Sequence, residues 1–169
     1  MDPKQGDLSL LVHPLAQQLL QSRIPGRLAY IALDATPRVV PVTFHWTGHE
    51  VVVTTWPDAP KVAALRARPT VALTIDTNEY PFNVLTIRGP VFVEVVDGLP
   101  PEYELACERY MGAEAGRAWA GQVEQMFPRN ARIAIRPEWV GLLDYRNRFP
   151  SGIAKAMAQA RMPTQIIPS

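Results

Sequence analysis

The sequence predicts a mainly β (α+β) domain, a six-stranded antiparallel barrel with short helices. Three observations carry that expectation. About six strand-like runs follow one another, and a single short helix falls between the third and the fourth. Helices therefore do not alternate with strands as they do in a doubly wound sheet. At 169 residues the chain has the length of one domain and can bury a real core, and with 47% hydrophobic and 20% charged residues it has the composition of a folded protein. Residues 1–169 are read as a single domain: an N-terminal helix and lead-in over 1–26, the barrel over 27–145, and a tail over 146–169.

His13 to Ser22 places Leu15, Leu19 and Leu20 at helical spacing, and Ile24-Pro25-Gly26 ends that helix. Arg27–Leu33 and Val39–Trp46 read as strands joined by a turn over Asp34–Pro37. Pro41 lies inside the second run, and having no N–H to give, it marks an edge, a bulge or a ligand contact. Trp46-Thr47-Gly48-His49 turns the chain into a third strand, Val51–Thr55. A helix follows over Ala59–Arg68, with Asp58 as the expected N-cap and Pro60 in its first turn. Val71–Asp76 is the fourth strand; Val84–Arg88 and Val91–Val96 form the fifth, with a break expected at Gly89-Pro90. Pro101–Met111 and Glu114–Met126 read as helices, the second with Trp119, Val123 and Met126 along one face. The last strand runs over Ala131–Ile135 and continues through Trp139–Tyr145. The tail from Phe149 is expected to be only partly ordered, with a short helix near Ile153–Ala160.

A formal charge of +1 argues against a broad nucleic-acid footprint. The single cysteine, Cys107, allows no internal disulfide and suits a reducing compartment. No signal-like segment opens the chain, and no apolar stretch approaches the roughly 20 residues a spanning helix needs. The expectation is a cytoplasmic protein that contacts neither nucleic acid nor membrane.

His13, His45 and His49 are the only histidines, and their spacing matches no zinc motif, so no metal site is expected. Phosphate-loop and dinucleotide fingerprints and the Gly-x-Ser-x-Gly elbow are missing. No catalytic residue is identified, and any redox chemistry is expected to come from a cofactor. The remaining signal is Val51–Leu65, where a strand ends in Thr54 and Thr55 and a helix begins with Lys61 in its first turn. Unpaired N–H groups, a helix dipole, two hydroxyls and an ammonium together suit a phosphate. The same spacing also suits a helix start whose lysine lies in solvent. Lys61 is the one lysine within the body of the fold, since Lys4 and Lys155 lie near the ends.

The order of Arg27-Leu28-Ala29, Arg38 to Val42, Thr54-Thr55, Lys61, Leu65, Pro69-x-Val71-Ala72-Leu73 and Val84 to Gly89 resembles the pyridoxamine 5'-phosphate oxidase-like flavin-binding split barrels. The resemblance runs from Arg27 to Tyr145. It implies a split barrel that forms a homodimer with its cofactor at the interface. It also implies that Arg38, Val40, Pro41, Val42 and Thr43 run beside the flavin ring towards the phosphate. Thr54 and Thr55 would contact ring and ribityl chain, and Pro60 and Lys61 the phosphate. Asn83, Val84, Tyr145 and Arg146 would come from the second subunit. Ala59 and Pro60 stand where the oxidase has Ser-Arg, Thr43 where it has a lysine, and Val84 where it has a glutamine-like ring contact. These departures point away from vitamin B6 oxidation and towards an oxidoreductase using FMN or, alternatively, the deazaflavin factor 420, whose longer anionic tail Arg38, Arg66 and Arg68 would meet. Trp46 and Trp56 are candidates for the ring pocket or for core and dimer contacts; Arg88 is a candidate for an ion pair with Glu79 or Glu94, or for contact with a tail phosphate. The alternative function is a non-catalytic flavin- or haem-binding protein on the same barrel, with haem held through His45 or His13.

Overall fold

A computed structural model describes residues 3–162. Within them lie eight strands and five α-helices. A 3-10 turn (Leu8–Val12) and α1 (Pro14–Leu20) precede β1 (Gly26–Ile31), β2 (Pro37–Val42), β3 (His45–Trp46) and β4 (Val51–Thr55). Then come α2 (Pro60–Ala67), β5 (Thr70–Asp76), the long β6 (Asn83–Asp97), α3 (Pro101–Met111), α4 (Ala113–Met126), β7 (Arg129–Ile135), β8 (Trp139–Asp144) and α5 (Ser151–Gln159). The strands pair in the order β2-β1-β5-β6-β7-β4-β3, with β8 also on β6, and every pairing is antiparallel.

Eight strands replace the six expected because two runs change partner partway along. The run over Val39–Trp46 pairs with β1 as far as Val42, leaves the sheet at Thr43 and Phe44, and rejoins it as β3 beside β4. The run over 131–145 divides at residues 136–138, which stand opposite Gly89 and Pro90. The expected break at Gly89-Pro90 therefore falls on the partner, and β6 itself is continuous. Arg136 N–H donates to Pro90 O at 3.0 Å and Glu138 N–H to Arg88 O at 2.9 Å, which holds the bulge closed. Gly89 is required there: a Cβ would lie 1.9 Å from the Arg136 carbonyl oxygen. Through β6, β5 and β8 pair with the first half and β7 with the second, so one strand carries both parts of the sheet.

The core fills the space between them. Leu28, Leu73, Leu85, Ile87, Ile133 and Leu142 are fully buried in one cluster with Phe44 and Leu65. Each such side chain contributes roughly 1.5–3 kcal/mol by leaving water. β2 is the terminal strand, so Pro41 sits at an edge, where its missing N–H leaves no ladder bond unmade.

α2 buries Val62, Ala64 and Leu65. Asp58 does not cap it; Ala59 occupies the N-cap position without a side-chain hydrogen bond, and Pro60 opens the first turn. α4 lies directly on α3, since a Cβ on Gly116 would meet Glu108 N at 2.4 Å, and α3 in turn packs against β3 and β4. That close approach holds the Trp119–Val123 face of α4 beside the end of β4. α5 falls where a short tail helix was expected and buries Met157; the tail's residues 163–169 lie outside the described residues.

Candidate functional site

The segment singled out in the sequence folds into a corner. β4 ends at Thr55, Ala59 N–H donates to Trp56 O at 3.1 Å to close a turn, and α2 starts at once. That reversal brings the Lys61 ammonium back to the strand end. Its Nζ lies 3.4 Å from Thr55 Oγ1 and 5.2 Å from the centre of the Trp56 ring. Lys61 is half-buried, whereas Lys4 and Lys155 are exposed. Among the described residues it has no carboxylate partner. Burial alone pushes its pKa below the ordinary lysine value, the response of an ammonium that has lost water and gained no counter-charge.

Thr54, Thr55 and Trp56 also form one wall of a cleft of about 300 Å³, faced by Tyr103 on α3 and by Trp119 and Phe127 on and after α4. Trp56 and Phe127 stack with centroids 6.1 Å apart and planes at 21°. Trp119 Nε1 donates to the Tyr103 hydroxyl at 3.2 Å. Trp46, the other tryptophan considered for a ring pocket, is a core residue, 7% exposed.

The remaining candidates lie elsewhere. Val42 is buried and Val40 half-buried, both packed in the core, while Thr43 is exposed. Arg38 is exposed and bound to its own hairpin, with its guanidinium 2.8 Å from Asp34 and also donating to Thr36. Hydrogen bonds from Thr36, and then Arg38, hold Asp34 down at about 2. Pro41 lines a cleft of about 320 Å³ with Val39, Ile24 and Asn78. Asn83 and Arg146 line a neighbouring cleft of about 460 Å³ that shares Ile24 and Asn78. Val84 is paired with Leu143 on β8, and Tyr145 packs edge-to-face on Phe82 and Phe149. One chain thus gathers Thr54, Thr55 and Lys61, with Pro60 exposed at the helix start, in one place. Pro41, Asn83 and Arg146 are gathered in another.

Sequence reasoning missed the far wall of the Trp56 cleft: Tyr103, Val123 and Phe127 were assigned no site, and Trp119 only a helix face. The available signal was an apolar stripe, Trp119-Val123-Met126-Phe127, wider than packing on one neighbour requires. It also missed an ion network on a separate cleft, lined by Glu50, Glu94, Arg132 and Arg136. Arg132 lies 2.7 Å from Glu102, 3.5 Å from Glu50 and 3.5 Å from Glu94, and Arg136 lies 3.1 Å from Glu50. Burial works to raise the Glu102 carboxyl, but the hydrogen bond and charge of Arg132 outweigh it and leave the pKa lowered. Burial raises the Cys107 thiol, which leaves it a poor nucleophile. His13 caps α1 through Nδ1, accepting from Leu15 N–H at 3.1 Å. His45 is shifted down, mainly by burial and further by Arg109. Arg88 stacks on Trp139 at 3.7 Å rather than pairing with Glu79 or Glu94.

No helix among the described residues is long and apolar enough to cross a membrane. Comparison with solved structures places the fold. An F420 reductase is 27% identical over 74% of this chain and 94% of its own, with a TM-score of 0.58. A conserved hypothetical protein from Mycobacterium tuberculosis is 17% identical over 100% of this chain and 98% of its own, with a TM-score of 0.65. HutZ, the haem storage protein from Vibrio cholerae, is 19% identical over 79% and 94%, with a TM-score of 0.56. No curated protein matches the chain. A sequence model described as pyridoxamine 5'-phosphate oxidase matches residues 12–144, and by that match across most of its length the chain belongs to the pyridoxamine 5'-phosphate oxidase family.

Proposed function

We propose that the chain is an oxidoreductase that binds FMN or the deazaflavin factor 420 and passes hydride between that cofactor and a small molecule. The observation that carries this reading is the half-buried Lys61 ammonium, held at the end of β4 with no carboxylate beside it. A desolvated cation without a counter-charge costs stability unless an anion arrives, so the donor set fits a phosphate. The hydroxyl of Thr55 is within reach of the same anion; the start of α2 adds little, since Pro60 has no N–H and Val62 N–H already donates to Ala59 O at 2.8 Å. A bound flavin or deazaflavin supplies the hydride-carrying ring. The protein's part is to hold the phosphate, orient the ring and exclude water.

Family membership and the likeness to an F420 reductase support a flavin-type cofactor. Of the arginines expected to meet a longer tail, Arg38 is bound to Asp34 and Arg68 donates to Ala32 O at 2.9 Å. Arg66 has no hydrogen-bond partner among the described residues and remains the one available. A homodimer follows from the same reading. Thr54, Thr55 and Lys61 do not share a cleft with Asn83 and Arg146 in one chain, and a second copy would bring Asn83, Val84, Tyr145 and Arg146 to the first.

Titrating the purified chain with FMN and with factor 420, by absorbance and fluorescence, tests the assignment, and Lys61→Met is the decisive variant. Saturable binding that weakens in the variant is expected, with sedimentation giving a dimer. A Soret band in place of flavin absorbance, or equal affinity in the variant, overturns the reading.

A further inference from the structure

The cleft between the end of β4 and α4 has four large apolar side chains at its surface: Trp56, Trp119, Met126 and Phe127 are each between 38 and 55% exposed. Scattered apolar residues on a surface need no explanation, but four around one concavity do. Packing does not require them to face it. Trp119 and Met126 flank the buried stripe of Gly116, Ala120 and Val123 on α4, at its exposed border. The walls are held in place without a ligand, by the Trp56–Phe127 stack and by the hydrogen bond from Trp119 to Tyr103. A preformed aromatic slot loses little conformational entropy when filled.

Its chemistry selects an occupant. No acidic or basic side chain lines it. Tyr103 is its only titratable group, and burial raises that phenol above its ordinary value, so it is neutral at physiological pH. The volume, about 300 Å³, lies at the small end of ligand sites and suits a molecule of one or two fused rings. Thr54 contributes a hydroxyl with no hydrogen-bond partner among the described residues, which gives such a ligand one polar contact. The cleft also abuts the Lys61 corner, because Thr55 and Trp56 belong to both.

We infer that this slot is a second binding site, for a flat, uncharged aromatic molecule that stacks among Trp56, Trp119 and Phe127 beside the cofactor corner. Describing that molecule as the reaction partner rests on the proposed cofactor assignment; its binding does not.

Calorimetric titration of the full chain as purified, with 2-naphthol as the flat probe and cyclohexanol as the non-flat control, tests the inference. Saturable binding of 2-naphthol and none of cyclohexanol is expected. Trp119→Ala and, because Met126 is exposed and its loss leaves the core intact, Met126→Ala should each weaken 2-naphthol, the first by about ten-fold, the scale of a lost aromatic stacking partner. FMN affinity, measured in parallel, should stay the same in both variants. Absent or unsaturable heat, or undiminished 2-naphthol binding in both variants, overturns the inference. So does FMN affinity falling alongside, which makes the slot part of the cofactor site. A dimer that dissociates in Trp119→Ala also overturns it, because a second copy then covers the slot. Failure of the cofactor assignment registers separately, as unchanged FMN affinity in Lys61→Met.

Discussion

Replacing Lys61 by methionine separates what this residue does for the fold from what it does for a ligand. In the cofactor-free chain its contacts are weak. The 3.4 Å approach to Thr55 Oγ1 is at the long end for a hydrogen bond, and the ammonium over the Trp56 ring contributes about 0.5–1 kcal/mol. Methionine keeps a flexible apolar stem against Trp56 and removes a charge that burial disfavours. Unfolding free energy from urea titration is therefore expected to change by less than about 1 kcal/mol. A phosphate-bearing cofactor, by contrast, loses a charge-assisted contact of about 1.5–3 kcal/mol. At about 1.4 kcal/mol per decade, its Kd should rise roughly ten- to hundred-fold. Fluorescence titration with FMN or factor 420, alongside the urea curve, reads both quantities. Equal Kd values in the two proteins would refute the reasoning. So would a loss of more than about 2 kcal/mol of stability, which would show the lysine to be structural.

The same lysine has a pH signature. Its pKa in the fold is lowered, so the ammonium is lost at lower pH than an ordinary lysine loses it, and cofactor affinity should decline with rising pH below that ordinary range. In the cofactor-free chain the unfolded state then holds more protons, so stability should rise slightly over that window, and both slopes should vanish in Lys61→Met. Gly89→Ala drives a Cβ into the Arg136 carbonyl and is expected to cost about 1–3 kcal/mol in urea denaturation; a loss below about 0.5 kcal/mol would show that the bulge can open. Arg132→Met leaves Glu102 without its cation and Glu50 with Arg136 alone, and should cost about 3 kcal/mol at neutral pH. The stranded Glu102 then follows its burial and titrates higher, so the variant should recover stability as pH falls towards 5, where the parent does not. Thermal denaturation across pH decides this, and parallel curves for the two proteins would contradict it.

Local sequence determined the elements. β-branched runs with Pro and Gly between them give strands, and Leu and Ala at helical spacing give α1, α2 and α4, because these signals act within a few residues. The strand end and helix start of the β4–α2 corner were legible for the same reason, but that Lys61, six positions after Thr55, turns back to it and not into solvent was decided by the fold. Strand count was not legible, because a strand is defined by its partner. Nothing within Val39–Trp46 announces that the chain changes from β1 to β4 at Thr43, and nothing beside Gly89 says that the bulge belongs to residues 136–138. The aromatic cleft and the Arg132 network depend on the same long-range placement. Trp56 and Phe127 are distant in sequence, and it is the seating of α4 on α3, and of α3 on β3 and β4, that brings their rings together. Short-range propensity chose the pieces. Which surfaces face each other was settled only by burying the apolar sides of all of them at once, and that is a property of the whole packed chain.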